Sequence, residues 1–149
     1  NVLEEIGDQR VIIWTAFEEE VEIIKQHLGT EDFGVLTGDT KQVDRQAIVD
    51  LFNAGSLRYL VAHPGVAGEG INLFGGWSVY FSRGYKLSER LQSLGRNSRP
   101  GIEKVCDNIT VIDLVAVNTL DIEVMEALDR KEDLLNAINP RSFKAMLNA

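Results

Sequence analysis

Apolar and polar residues along this chain alternate between short continuous apolar runs and longer stretches with helical spacing. Val11-Ile12-Ile13-Trp14 is β-branched and does not alternate with polar residues, the pattern of a strand buried on both faces of a parallel sheet. Tyr59-Leu60-Val61-Ala62, Ser78-Val79-Tyr80-Phe81 and the run from Ile109 to Leu114 read the same way. Val35-Leu36 marks a briefer strand that ends at Thr37-Gly38-Asp39-Thr40, a turn and helix-cap cluster. Between the strands, Glu18 to Leu28 carries Val21, Ile23, Ile24 and Leu28 at helical spacing, with Gly29 as its stop. Lys41 to Phe52 predicts a helix with Val43, Ala47, Ile48, Leu51 and Phe52 on one stripe. Ser88 is placed to cap a short helix from Glu89 to Leu94. Thr119 to Ile138 reads as a long charged helix with Val124, Met125, Leu128, Leu135 and Ile138 inward, stopped by Asn139-Pro140. The alternation predicts an α/β fold: a mostly parallel sheet with helices on both faces, a trailing C-terminal helix, and ligands at the C-terminal ends of the strands.

Composition narrows this picture without changing it. A chain of 149 residues, 44% apolar and 26% charged, fits one globular domain with a full core. It opens on Asn1 instead of Met, and its first ten residues are already charged and amphipathic. We therefore read residues 1–149 as a single domain, with a core over about 10–138, cut from a longer chain. No apolar run approaches the roughly 20 residues of a membrane helix. The N-terminus lacks a basic-then-apolar signal, so a cytoplasmic protein with no membrane partner is expected. Cys106 is alone and cannot form an intrachain disulfide; with only two histidines beside it, no metal site is expected, and a quiet thiol is the simpler reading. A net charge of −8 is awkward for a nucleic-acid partner. The acidic residues crowd towards the two ends, however, and between Gly34 and Gly101 Lys and Arg outnumber Asp and Glu.

The chemistry-bearing segments lie in that central stretch. Gln92 to Gly101 reads Q-x-x-G-R-x-x-R-x-G, spacing Arg96 and Arg99 three apart. Guanidinium groups are permanently charged planar forks that match phosphate oxygens, so such a pair can clamp a polyphosphate. Upstream, Ala62-His63-Pro64-Gly65-Val66-Ala67-Gly68-Glu69-Gly70-Ile71-Asn72-Leu73 follows directly on an apolar strand. Gly68 and Gly70 flank Glu69 in a turn where a side chain would clash or forbid positive φ. Taken singly, a surface ion pair and a plain turn explain the two segments. A dinucleotide-binding reading fails on spacing, since Gly65, Gly68 and Gly70 give G-x-x-G-x-G after the third strand.

In this order the two segments resemble motifs V and VI of superfamily-two helicases and translocases, closest to the Snf-type branch and its bacterial or phage relatives. The resemblance covers about Arg10 to Ile138. It departs at Ile102, where Snf-type proteins commonly have Gln, and at Asn97-Ser98, where they often have a residue followed by His.

What the resemblance implies is a RecA-like three-layer sandwich, the second motor lobe of an ATP-dependent DNA helicase or translocase. Arg96 and Arg99 would be its catalytic arginine fingers, Arg99 being the γ-phosphate contact, and Gly68, Glu69, Gly70 and Gln92 would complete its ATP-binding set. Thr15, Thr37, Gly38 and His63 match positions that contact a nucleic-acid backbone in this family, DNA first and RNA second, although caps and turns explain the threonines equally well. Arg45 and Phe52 fit the family's R-x-x-x-I-x-x-F habit, with Phe in the core and Arg structural. Trp14, Trp77, Tyr80 and Tyr85 are expected in the core. The chain has no Gly-Lys and no Asp-Glu dipeptide, hence no G-x-x-x-x-G-K-[ST] loop and no acidic pair for Mg²⁺. ATP and Mg²⁺ would therefore need an N-terminal RecA-like lobe of the same parent chain, and the fragment alone is expected to be inactive. The competing reading is a non-catalytic α/β scaffold or interaction domain that kept the fold without the activity.

Overall fold

Strands of only four residues can hold a sheet together when the inner ones pair on both sides and have both faces covered, and the three inner strands of this sheet are so placed. The computed structural model describes residues 1–66, 71–97, 101–104 and 106–138, with side chains up to residue 132 of the last helix. Strands β1 (Val11–Trp14), β2 (Phe33–Leu36), β3 (Tyr59–Ala62), β4 (Trp77–Tyr80) and β5 (Thr110–Asp113) form one sheet in the order β2-β3-β1-β4-β5. Every pairing is parallel. The helices are α1 (Val2–Ile6), α2 (Glu20–Leu28), α3 (Gln42–Asn53), α4 (Leu87–Asn97) and α5 (Leu120–Ile138), with a 3₁₀ turn at Ile102–Lys104. Among the described residues no helix is long and apolar enough to cross a membrane.

The register sorts the strand side chains onto two faces. Ile12, Trp14, Leu36, Leu60, Ala62 and Tyr80 share one face with Val49 and Phe52 of α3, and Leu94 of α4 packs against them. Val11, Ile13, Tyr59, Val61 and Val79 share the other with Val21 and Ile24 of α2 and Ile6 of α1. Packing thus begins before Arg10. The outermost helix, α5, lays Val124 and Leu128 on Leu87 and Leu91 of α4. The result is the expected three-layer α/β sandwich with its trailing helix.

Strands β1 and β3 fall on the residues their apolar runs predict, because a run buried on both faces leaves no other assignment. The helices differ in detail. Val43 and Leu51 of α3 are 82% and 47% exposed, and Ala47 is exposed with them. They form a row at i, i+4 and i+8 beside the true inner row of Ile48, Val49 and Phe52, and the sheet takes the row with the aromatic ring. On α2, Ile23 likewise faces out, while Val21 and Ile24 are buried. Gly29 ends α2 as expected, in the left-handed conformation at φ 58°, its N–H on the Lys25 carbonyl. Thr40 does not cap α3; its hydroxyl accepts from Thr37 N–H and donates to the Val35 carbonyl, which closes the turn after β2. Ser88 does not cap α4, which starts a residue earlier and runs on through Gly95. Tyr85 is half exposed, unlike Trp14 and Tyr80, which are buried and stacked on one another. Arg45 is structural, donating from Nε to the Thr40 carbonyl, and Phe52 is fully buried. The stop at Asn139-Pro140 lies outside the described residues.

Two consequences can be measured. A Cβ on Gly75 would stand 3.0 Å from Phe52 Cζ and 3.2 Å from Ile12 Cγ1, both in the core. Gly75→Ala is expected to lower stability by about 1–3 kcal/mol, read as an earlier urea midpoint at unchanged slope. Burial pushes the Tyr80 phenol up to about 12, against a nearby Arg90 that lowers it. The folded state resists ionisation that the unfolded chain undergoes near pH 10, so this contribution is intact below pH 10 and lost as the pH rises towards 12. At about 1.4 kcal/mol per unit, the loss is on the order of 3 kcal/mol. Tyr80→Phe should flatten the fall in denaturation midpoint between pH 10 and 12; an equally steep fall would remove Tyr80 as its source.

Candidate functional site

The C-terminal edge of the sheet gathers the first residues after each strand into one row. His63 N–H donates to the Leu36 carbonyl at 3.0 Å, Thr15 N–H to Ala62 at 3.0 Å, Phe81 N–H to Trp14 at 2.9 Å and Leu114 N–H to Tyr80 at 3.0 Å. Three of the four residues expected to meet a nucleic-acid backbone, Thr15, Thr37 and His63, therefore stand side by side, with Gly38 next to Thr37. Their surroundings differ. Gly38 is exposed, and its backbone lies against the Glu18 carboxylate, 2.5 Å from where a Cβ would be. Thr37 lines a cleft with Glu18, Glu22 and Asp39, in which Lys25 is the one cation among the described residues. His63 is half-buried, and its Nδ1 accepts from Gly65 N–H at 3.0 Å, closing the loop after β3. Thr15 is wholly buried: its hydroxyl donates to Glu20 Oε2 at 2.5 Å and is also within reach of the Phe17 carbonyl at 3.0 Å. Ser82, after β4, donates to the same Glu20 oxygen and accepts from Ala16 N–H at 2.8 Å.

The arginine-bearing helix does not stay at this edge. It begins there, where Arg90 grips Asp113 at the end of β5 with two bonds of 2.8 Å and lies over the Tyr80 ring at 3.9 Å. From that anchor α4 crosses the sheet towards the start of β4. Its last turn, with Arg96 and Asn97, meets the segment that leads into β4. His63, which opens the glycine-rich segment, stands at the strand C-terminal ends where a ligand is expected, whereas Arg96 stands at the far end of α4. Gln92 is exposed on α4, and Arg96 is 5% exposed in its last turn. Arg99, Gly68, Glu69 and Gly70 lie outside the described residues.

The structure does bring the two motifs together, at the other end of α4. Leu73 N–H donates to the Arg96 carbonyl at 3.0 Å, and Gly75 N–H to Asn97 Oδ1 at 3.3 Å. Asn97 Nδ2 in turn donates to Ser78 Oγ at 3.1 Å, which also accepts from Trp14 Nε1 at 3.3 Å. From α3, Asn53 completes the set: its Nδ2 donates to the Asn72 carbonyl and its Oδ1 accepts from Phe74 N–H, both at 2.8 Å. Residues 72–75 run without strand partners, and these bonds supply what a ladder would otherwise give.

Asn97, Asn53 and Ser82 were not among the residues singled out from sequence. Asn97 was legible only as a departure from the motif, and nothing in a lone Asn or Ser signals a buried amide or hydroxyl partner. Near the same edge, Arg83 is nearly buried, donating to the Tyr80 and Leu114 carbonyls and pairing with Asp113 at 3.4 Å. Asp113 therefore serves two arginines. Cys106 fits its quiet reading: burial, and then the Asp107 charge, push its thiol up, keeping it protonated at neutral pH. Among the described residues no three His, Cys, Asp or Glu side chains converge on a metal-sized site.

Known proteins place this geometry. No curated protein sequence matches the chain. Among solved structures, the C-terminal part of the Fun30 ATPase domain superposes with a TM-score of 0.71 at 21% identity, over 85% of this chain and 41% of that one. The C-terminal domain of the DEAD-box protein Dbp5 superposes with a TM-score of 0.67 at 18% identity, over 87% of this chain and 76% of that one. At such identities the likeness is one of fold, here the RecA-like α/β fold, and this chain spans less than half the length of the Fun30 structure. The sequence matches the helicase conserved C-terminal domain family over residues 1–101, two thirds of its length. The chain belongs to the helicase conserved C-terminal domain family.

Proposed function

We propose that this chain is the second motor lobe of an ATP-dependent DNA helicase or translocase of the Snf-type branch, with relatives in bacteria or phage. The observation that carries the proposal is the direct backbone bond between Leu73, which ends the glycine-rich motif, and Arg96 of the arginine motif. A change at either motif is felt by the other through one hydrogen bond and the shared Asn97 amide. That is the coupling a motor needs between its nucleotide and its track.

In this reading the lobe supplies half of an ATP site. Arg96 and Arg99 bring fixed positive charge to a γ-phosphate as negative charge shifts onto the leaving oxygens, while Gln92 and the Gly68-Glu69-Gly70 turn border the nucleotide. The P-loop, and the carboxylates that hold Mg²⁺, belong to an N-terminal lobe of the parent chain. Thr37, Gly38, His63 and the Thr15 loop meet a strand through its phosphates without reading bases, DNA being favoured over RNA by the Snf-type motif pattern. Closure of the two lobes on ATP and reopening after hydrolysis would drive stepping along that strand.

The test is ATP turnover by the full parent chain, with and without DNA or RNA. Nucleic-acid-stimulated turnover is expected, falling on the order of a thousandfold in Arg99→Ala if that residue is the finger. Turnover indifferent to both nucleic acid and Arg99→Ala would sink the motor reading in favour of a scaffold. A second measurement addresses the coupling. Asn97→Ala leaves Gly75 N–H without its side-chain partner and Ser78 with the Trp14 indole alone, at a cost of about 1–3 kcal/mol in stability. Its stimulation ratio, turnover with DNA over turnover without, should fall further than its basal turnover; an equal fall in both would assign Asn97 to folding alone.

A further inference from the structure

The order β2-β3-β1-β4-β5 puts β1 and β4 side by side, and their onward connections leave in opposite directions. From β1 the chain passes through α2 on one face to β2; from β4 it passes through α4 on the other face to β5. Where neighbouring strands part in this way, their loops diverge and leave a crevice beyond the strand ends, the usual seat of a ligand in open α/β sheets. In this chain that switch point is flanked by Thr15, Ala16 and Phe17 after β1 and by Ser82 after β4. It holds a carboxylate: Glu20 Oε2 accepts from the Thr15 hydroxyl at 2.5 Å and from the Ser82 hydroxyl. The two hydroxyls lie 3.4 Å apart, and both side chains are more than nine-tenths buried. Ala16 N–H points at the Ser82 hydroxyl at 2.8 Å, and Phe17 N–H at that of Thr15 at 3.3 Å.

Two hydroxyls backed by two amide N–H groups form the donor set that proteins use to hold a phosphate of a nucleic-acid backbone. A carboxylate oxygen presents the same charge and the same acceptor lone pairs as a phosphate oxygen. We propose that Glu20 is a latch seated in a phosphate site: the Thr15 and Ser82 hydroxyls take one phosphodiester of a bound strand, and Glu20 swings out to admit it. Glu20 is half-buried in the first turn of α2, where its side chain can rotate towards solvent without unwinding the helix. Phe17, 54% exposed beside the crevice, offers a ring to the neighbouring sugar or base. The latch explains how a threonine can be both wholly buried and a strand contact. This inference rests on the nucleic-acid reading above and adds to it Ser82 as a second contact and Glu20 as a competitor.

The experiment is binding of a fluorescein-labelled single-stranded oligonucleotide to the full parent chain, followed by anisotropy at fixed salt. Glu20→Ala is expected to tighten binding by about three- to tenfold, the net worth of about one ordinary hydrogen bond no longer competed for. Glu20→Gln, which keeps an acceptor and the packing but drops the charge, should give part of that gain and guards against a folding defect in the alanine variant. Glu19→Ala removes the same charge one residue away and should change affinity less than about twofold, as a surface charge does. Adding Ser82→Ala to Glu20→Ala should abolish the gain. Labelled ATP should bind equally to the natural chain and Glu20→Ala. The proposal is overturned if Glu20→Ala behaves like the natural chain or like Glu19→Ala, if the gain survives Ser82→Ala, or if ATP is the ligand that tightens. Strand binding by the natural chain with no response to Glu20 overturns the latch alone; no strand binding by any variant overturns the nucleic-acid reading with it.

Discussion

The backbone of residues 72–75 has to be satisfied without a strand beside it, and the way this is done fixes much of the domain. Asn53 reaches in from the end of α3, and Asn97 and the Arg96 carbonyl from the end of α4. Asn97 is 1% exposed, so an amide group there without partners would carry the full penalty of burial. Its two ends instead tie the entry of β4 to α4, and through Ser78 to the Trp14 indole in the middle of the sheet. Remove this set and the glycine-rich motif loses its connection to the arginine helix, while the sheet keeps its two apolar faces. The fold and the coupling of the motifs thus rest on different interactions.

The opposite end of α4 is held by charge. Arg90 spans to Asp113 with both nitrogens and covers the Tyr80 ring, while Arg83 shares the same carboxylate from the loop after β4. These groups are largely buried, so removing one partner costs more than breaking a surface ion pair, because it leaves a charge buried without compensation. With Asp113 at one end and Gly75 and Ser78 at the other, the helix has no freedom to slide along the sheet. Tyr80 donates to or accepts from Ser93 at 2.6 Å midway, which also fixes its rotation. An arginine at the end of so constrained a helix keeps its backbone in one place whatever its side chain does.

Much of this was legible in the sequence, and the parts that were not have identifiable causes. Strands β1 and β3 were readable to the residue because both of their faces are buried, which leaves a continuous apolar run. Strand β5 was overextended by a residue at each end because it stands at the sheet edge, where Thr110 and Val111 are exposed and the apolar pattern has no sharp boundary. The α3 stripe was misread because Val43, Ala47 and Leu51 make a second apolar row, and periodicity cannot say which row meets the sheet. Helix α4 was cut short at Leu94 because Gly95 is a poor helix former; tertiary bonds to Leu73 and Gly75 carry the helix past it. The five-residue α1 is too short for a periodic signal, although Asn1 caps it through Leu3 N–H and Ile6 reaches the core. The motifs themselves were readable as spacing. Which of their neighbours would bond to them was not, since Asn53 and Glu20 lie 19 and 62 residues from their partners Asn72 and Ser82.

Charge, which argued against a nucleic-acid role at the level of the whole chain, acts locally here. The acidic start of α2 folds against the loop after β2, so Glu18 and Glu22 stand beside Thr37. A strand approaching that edge meets carboxylates at the β2 side, arginines buried at the β4 and β5 side, and hydroxyls already engaged between them. Such an edge repels a polyanion weakly until a side chain moves, because the repelling groups are exposed and screened by salt whereas the attracting ones are covered. Affinity for a strand would then depend on conformation more than on net charge. Under the proposed motor function, tight binding in every conformation would be the less useful property, since the strand has to be released as well as gripped.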